Sequence, residues 1–447
     1  MVRNPVLLSG LLCALGFLMT LVPLYAQNPG PLLQLPKPRA TLGEVTEPRP
    51  THGLNDLVRM TLSNHPRLRQ VDLAVEIAKG KALQAGLYPN PVLIGSFDEL
   101  GDVQGRSGIN SFPFVTQEIV TAHKLKLSRL VAEKEIDIAS LHVLRQRIEL
   151  ITTVRNHYYS MLAIQQEIEI LEELNRLAYR SFHIAKERKK IKEIAELEYL
   201  QFRVELNRWT AKLEGAERRR AAIWQQLMAA MATRNLPTCL LKGSLNEPIP
   251  QFEFDMVRDV MFHVRPEIQS AKVGINQAHL ALKRAQVQKY PNVTVGAGFV
   301  RQNQNNSNDW ALLFEVPLPI FNRNQGNIQS AEARVGQAIH GVAQAKVELM
   351  ARLSEIFGRY DSARQQMIRY EIGILADTKK SYEMSLEAYQ EQEFDYLKVL
   401  QAQHLAARAR LEYLHLRLQA WQAASEIGGL LLQEDWPPTP GKLPILP

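Results

Sequence analysis

The chain holds 447 residues, 46% of them hydrophobic and 22% charged, with a formal charge of +7. That composition belongs to a folded chain, long enough for two or three ordinary domains or one elongated one, and excludes a disordered polymer. Lys and Arg alternate with Glu along stretches such as 183–220. This is the pattern of a solvated helix face rather than of a basic surface with interleaved aromatics, so no nucleic-acid partner is expected.

The N-terminus reads as a secretion signal over residues 1–26. Arg3 supplies the positive start, 6–22 the apolar core, and Ala26 a small residue at the cleavage point. Cys13 raises the alternative of a lipoprotein, but Leu12 precedes it where a small residue belongs. Cleavage leaves Cys239 alone, so no internal disulfide forms in an oxidising compartment. Residues 27–51 and 433–447 are Pro-rich extended segments. No later stretch reaches 18 unbroken apolar residues, so any membrane crossing must use a β-barrel.

Residues 52–232 and 254–432 then read as two copies of one unit, joined by a loop-rich connector at 233–253. Pro66 matches Pro266, each inside an amphipathic helical pattern, and Tyr88-Pro89-Asn90 matches Tyr290-Pro291-Asn292. Gln117 sits opposite Pro317, and IKEIAELEYLQ (191–201) matches EQEFDYLKVLQ (391–401). Each copy opens with one helix (52–87, 254–289) that ends at Tyr-Pro-Asn, where proline stops it. Two strand-like runs follow, at 91–100 and 109–119, then at 292–302 and 309–320. Helical stretches almost free of Gly and Pro close each copy, at 123–231 and 325–432. Patterns of that length suggest coiled coils rather than compact helices.

The last strand pair alternates. Trp310, Leu312, Phe314, Val316 and Leu318 fall on one face, as do Val293, Val295, Ala297 and Phe299 in its partner. Small or polar residues, Thr294, Gly296 and Gly298 among them, lie opposite. This fits a membrane barrel strand of about ten residues and equally an ordinary sheet packed on a helix. Four strands close no barrel, and lipid tolerates no open edge, so a barrel requires several copies of the chain.

These residues resemble the TolC family of outer-membrane efflux proteins. The likeness covers about 52–432 and is carried by LNDLVRMTLSNHPRLRQ, AGLYPNPVL and PLPIFNRNQGNIQSAEA (317–333). The last of these leans towards the heavy-metal efflux branch. The resemblance implies a mainly α fold with a membrane β-barrel, in which three chains with four strands each share a twelve-stranded barrel. A long α-helical coiled-coil tunnel continues it. It also implies a homotrimer whose partners are outer-membrane lipid, a periplasmic adaptor and an inner-membrane pump. The chain would then be a passive efflux conduit in the outer membrane, its helical part in the periplasm. The alternatives are a type I protein-secretion conduit and a soluble periplasmic coiled-coil scaffold. The family's periplasmic turn falls at 189–200 and 389–400, with Lys192 and Gln392 in place of the usual glycine, so its exact geometry is open. Leu197, Leu200, Tyr389, Leu397 and Leu400 keep their places.

The turns carry Lys189, Lys190, Lys192 and Glu193 in one copy and Glu391, Gln392, Glu393 and Asp395 in the other. Repeated by threefold symmetry they would ring the tunnel entrance, for adaptor contact or as an aperture; the plain alternative is solubility of an exposed tip. The barrel residues Trp310, Leu312, Phe314, Val316, Val293, Val295 and Phe299 would face lipid. No nucleotide, metalloprotease or hydrolase motif occurs, so neither an enzyme nor a cofactor is expected. His404 and His415 share a helix face, as packing or surface residues rather than a metal pair, and Cys239 reads as a buried structural thiol.

Overall fold

A computed structural model describes residues 52–99, 108–233, 236–391, 393 and 395–438. The expected signal peptide 1–26, the extended segment 27–51 and the tail from 439 onward lie outside the described residues. So does Gln392.

Each copy begins with two helices where one was expected. Helices α1 (Leu54–Asn64) and α2 (Pro66–Ala85) meet at His65, and α5 (Phe254–Val264) and α6 (Pro266–Val287) meet at Arg265. Pro66 and Pro266 therefore start helices instead of riding inside them. The ring of proline drives the residue before it out of the helical region, to ψ 125° at His65 and 127° at Arg265. Proline has no N–H to lose at a first helical position.

Strands β1 (Val92–Asp98), β2 (Ile109–Ile119), β3 (Val293–Gln302) and β4 (Ser307–Glu315) form one antiparallel sheet in the order β1-β2-β3-β4. The two copies thus meet at the β2–β3 pair. β4 ends at Glu315, short of the expected 320, because Pro317 and Pro319 cannot extend a hydrogen-bonded ladder. Val316 and Leu318 consequently lie beyond the strand, and Val316 is half-buried.

The long stretches fold as hairpins. In the first, α3 (Lys124–Lys190) turns into α4 (Glu196–Ala230). In the second, α7 (Gln325–Arg369), a π-turn at Tyr370–Ile374 and α8 (Leu375–Gln390) run as one rod before α9 (Tyr396–Leu430) returns. At 1.5 Å per residue, α3 alone spans roughly 100 Å.

The backbone repeats even where the side chains do not. His123 and Asn324 both take left-handed conformations where strand hands over to helix, with φ of 54° and 63°. Ala232 and Leu432 do the same where α4 and α9 end, with φ of 52° and 58°. Thr233 N–H then bonds the Met228 carbonyl at 3.0 Å and Gln433 N–H the Gly428 carbonyl at 2.9 Å. These six-to-one bonds close the exposed carbonyl end of each helix.

The main core lies midway along the rods, where the connector residues Cys239, Leu241 and Leu245 pack with Trp224, Trp421, Tyr159 and Leu57. Trp421 stacks on Tyr159 at 4.7 Å and donates its indole N–H to the Leu245 carbonyl at 3.1 Å. Cys239 is buried and unpaired as expected, and burial pushes its thiol pKa up. Arg155, fully buried, donates to the Gln433 and Glu434 carbonyls and lies 4.9 Å from the centre of the Trp436 ring, anchoring the chain beyond α9. Desolvation lowers its pKa to about 10.

Candidate functional site: the sheet and the helical tips

Residues paired directly across antiparallel strands share a face. Leu93, Val115, Ala297 and Leu312 pair in turn across all four strands, and Val295 with Phe314 and Phe299 with Trp310 lie on the same side. Leu312 is 87% exposed and Trp310 80%. Among the described residues nothing covers this band, and large contiguous apolar patches on water-facing proteins are uncommon. Val293, Val295 and Phe299 belong to the same face and are half-buried, Phe299 edge-on to Trp310 at 6.2 Å.

The opposite face is less polar than the alternation suggests. Phe114 lies across Gly296 and Gly298, and a Cβ at Gly298 would collide with its ring and backbone. The two glycines are therefore seats for an aromatic side chain. Among the described residues β1 and β4 have one neighbouring strand each, so each leaves an edge of backbone donors and acceptors open there.

At the far end the two hairpin turns meet. Phe202 of α4 stacks on Tyr396 of α9 at 3.7 Å, and Ala185, Val399, Phe182, Tyr382 and Tyr389 complete a small cluster. Arg188 donates to the Tyr389 hydroxyl at 3.4 Å, linking one turn to the other. The turn charges and Tyr389 are legible in the sequence, whereas Phe182, Phe202, Tyr382 and Tyr396 are not singled out there. Their recurrence within a few residues of both turns was the available signal.

The charges divide by turn. Lys189 pairs with Glu196 at 2.5 Å and lies 4.1 Å above the Tyr199 ring, and Lys190 pairs with Glu187 at 2.8 Å. Lys190, Lys192 and Glu193 are exposed, with Lys189 half-buried. Glu391, Glu393 and Asp395 are exposed on the second turn. Lys192 adopts the left-handed conformation, with φ 61°, that the absent glycine would take freely. Glu193 N–H reaches the Arg188 carbonyl at 2.9 Å and Glu393 N–H the Ala388 carbonyl at 2.8 Å, so the turn closes without glycine. Leu197 and Leu397 are exposed, whereas Leu200 and Leu400 turn inward.

His404 and His415 do not converge on a common ligand. His404 Nε2 lies 2.6 Å from Glu205 Oε1, and His415 faces Gln419. Among the described residues no group of three His, Cys, Asp or Glu gathers as a metal ion would require. Among them, too, no helix is long and apolar enough to cross a membrane.

A repeated hairpin of long helices joined to a small antiparallel sheet is the fold of the outer-membrane channels. The solved structure of CusC superposes with a TM-score of 0.73 at 18% identity, over 85% of this chain and 91% of that one. VceC from Vibrio cholerae gives 0.70 at 16% identity, over 85% and 95%. The outer membrane efflux protein family matches residues 57–233 and 262–431, and the chain belongs to that family, one of channels rather than enzymes. The cobalt-zinc-cadmium resistance protein CzcC of Cupriavidus metallidurans is 26% identical over 238 residues. That match takes in 51% of this chain and spans about half, 53%, of the relative's length.

Proposed function

We propose that three copies of this chain close a twelve-stranded barrel in the outer membrane and continue it as a periplasmic helical tunnel. The open edges of β1 and β4 carry this reading. Pairing β4 of one copy with β1 of the next removes every edge, as lipid requires, and turns the apolar band of Leu93, Leu312, Trp310 and Phe314 outward. Val293, Val295 and Phe299 would extend the lipid-facing band, with Val316 at its margin. The conduit is passive, and its driving energy comes from an inner-membrane pump through a periplasmic adaptor. The CzcC relative supports metal ions as cargo, alongside small molecules.

In this reading the tips are the docking and entry end. Lys189, Lys190, Lys192 and Glu193 alternate around the threefold axis with Glu391, Gln392, Glu393 and Asp395, contacting the adaptor or framing the aperture. Detergent extraction of outer membranes tests the assembly: a trimer in that fraction is expected, and a soluble periplasmic monomer or dimer overturns it. Planar-bilayer recording tests the tips. Replacing Glu393 with Gln and Asp395 with Asn together should lower cation selectivity, and unchanged conductance and selectivity would remove the aperture role.

A further inference from the structure

A groove of about 930 Å³ lies between α4 and α7, floored by α9. It lies on the face of α9 opposite the connector. Arg417 and Trp421 bond the carbonyls of Glu247 and Leu245 on one side of that helix, and His404, Arg408 and His415 fall about half a turn away. An added layer inside a closed ring of helices would fill its lumen, so an open conduit carries the connector outside. On the conduit reading, which fixes this position, the groove therefore opens into the tunnel.

Its charges are unbalanced. Glu412 is engaged by Arg408 at 2.8 Å and by the Tyr370 hydroxyl at 2.7 Å. Glu205 is buried against His404, whose Nδ1 lies 3.5 Å from Arg208. Arg208 and Lys212 then stand one turn apart on α4, both exposed in the groove and neither paired to a carboxylate among the described residues. Like charges at that spacing repel. Desolvation first, and Arg208 second, lower the Lys212 pKa, and the more distant carboxylates of Glu205 and Glu167 only partly offset them. Beneath them Trp209 is 3% exposed, 4.5 Å from the Lys212 ammonium, and its indole N–H has no acceptor.

We propose that this groove binds a multivalent organic anion of metabolite size, of the polycarboxylate class, through Arg208 and Lys212. A guanidinium offers paired donors to a carboxylate, and the ammonium serves a second carboxylate as a point charge. The volume lies within the range of small-molecule sites.

The test uses the full-length protein in detergent and citrate as the probe, followed by calorimetry and by tryptophan emission. Saturable binding is expected, weakened at least tenfold in R208Q/K212Q and unchanged in K379Q on the opposite face. Citrate added from the helical side should also reduce single-channel current in the unmodified protein only. Absence of saturable binding, or equal binding in the double variant, overturns the proposal. Binding that is lost in the double variant upholds the groove even in a protein that fails to conduct, a result that would count instead against the conduit.

Discussion

Where the first helix of each copy meets proline, one copy has His65 and the other Arg265. Both are buried, and both reach the end of a returning helix: His65 the carbonyl of Ala230 in α4, Arg265 that of Gly429 in α9. The backbones agree and the chemistry does not. Arg265 adds an ion pair with Glu267, whose carboxyl stays below the usual range although burial alone would raise it. His65 instead accepts the Arg67 N–H on Nδ1 at 3.1 Å, which only a neutral ring can do. The same junction is thus permanently charged in one copy and proton-sensitive in the other. A similar exchange occurs in the core: α4 carries Trp224 where α9 has Ala424, and α9 carries Trp421 where α4 has Ala221. Repetition preserves where helices end and meet, and each copy fills the space differently.

Emptying the core should break the comparison most severely. Trp224→Ala and Trp421→Ala are each expected to cost about 3–5 kcal/mol, measured by denaturant unfolding of the solubilised protein. If the fully buried residues contribute alike, the two losses agree within about 1 kcal/mol despite their different positions. Arg265→Ala comes next, at about 2 kcal/mol, because it leaves the Gly429 carbonyl without its donor and the largely buried Glu267 with only Arg145, at 3.6 Å, as a counter-charge. His65→Ala removes a neutral helix cap and should cost about 1 kcal/mol.

Acid sharpens the contrast between the junctions. Burial first, and then the Arg67 charge, lower the His65 pKa beneath its ordinary 6.5. In the window between the two values the unfolded chain holds the proton and the folded one does not. Stability from this group is therefore complete above pH 6.5 and is lost as pH falls through that window. His157, also lowered by burial, acts in the same direction. The thermal midpoint should drop between neutral pH and pH 5, less steeply in H65Q, and a profile unchanged in H65Q would rule out the assignment. The smallest effect is expected at the tip. Lys192→Gly relieves a left-handed lysine and should raise stability by about 0.5 kcal/mol, read as a higher unfolding midpoint.

Much of the architecture was legible because it rests on local rules. The Tyr-Pro-Asn stops, the absence of Gly and Pro from 123–190 and the alternation from Trp310 to Phe314 each act on neighbouring residues. The break at His65 and Arg265 was legible in principle, since proline restricts its predecessor, but the amphipathic pattern running through both sites concealed it. The turn at Lys192 was not legible from residue type, because the six-to-one bond from Glu193 holds a conformation that lysine alone disfavours. Of the tip, the charges were visible and the aromatic contacts were not. Phe202 and Tyr396 are almost 200 residues apart, and no local pattern states that they stack.

By itself the sequence determined the periods, the stops and the duplication, hence two long helical stretches and four short strands, while the turn that doubles each stretch back was placed only by the family resemblance. It did so because helix and strand propensity and proline sterics act within a few residues. Tertiary structure alone decided that the strands join across the two copies, that the tips meet through Phe202 and Tyr396, and that Arg208 and Lys212 share one groove with His404 and Arg408. Those outcomes depend on which faces of distant helices come to rest together, and only the packing of the whole chain settles that.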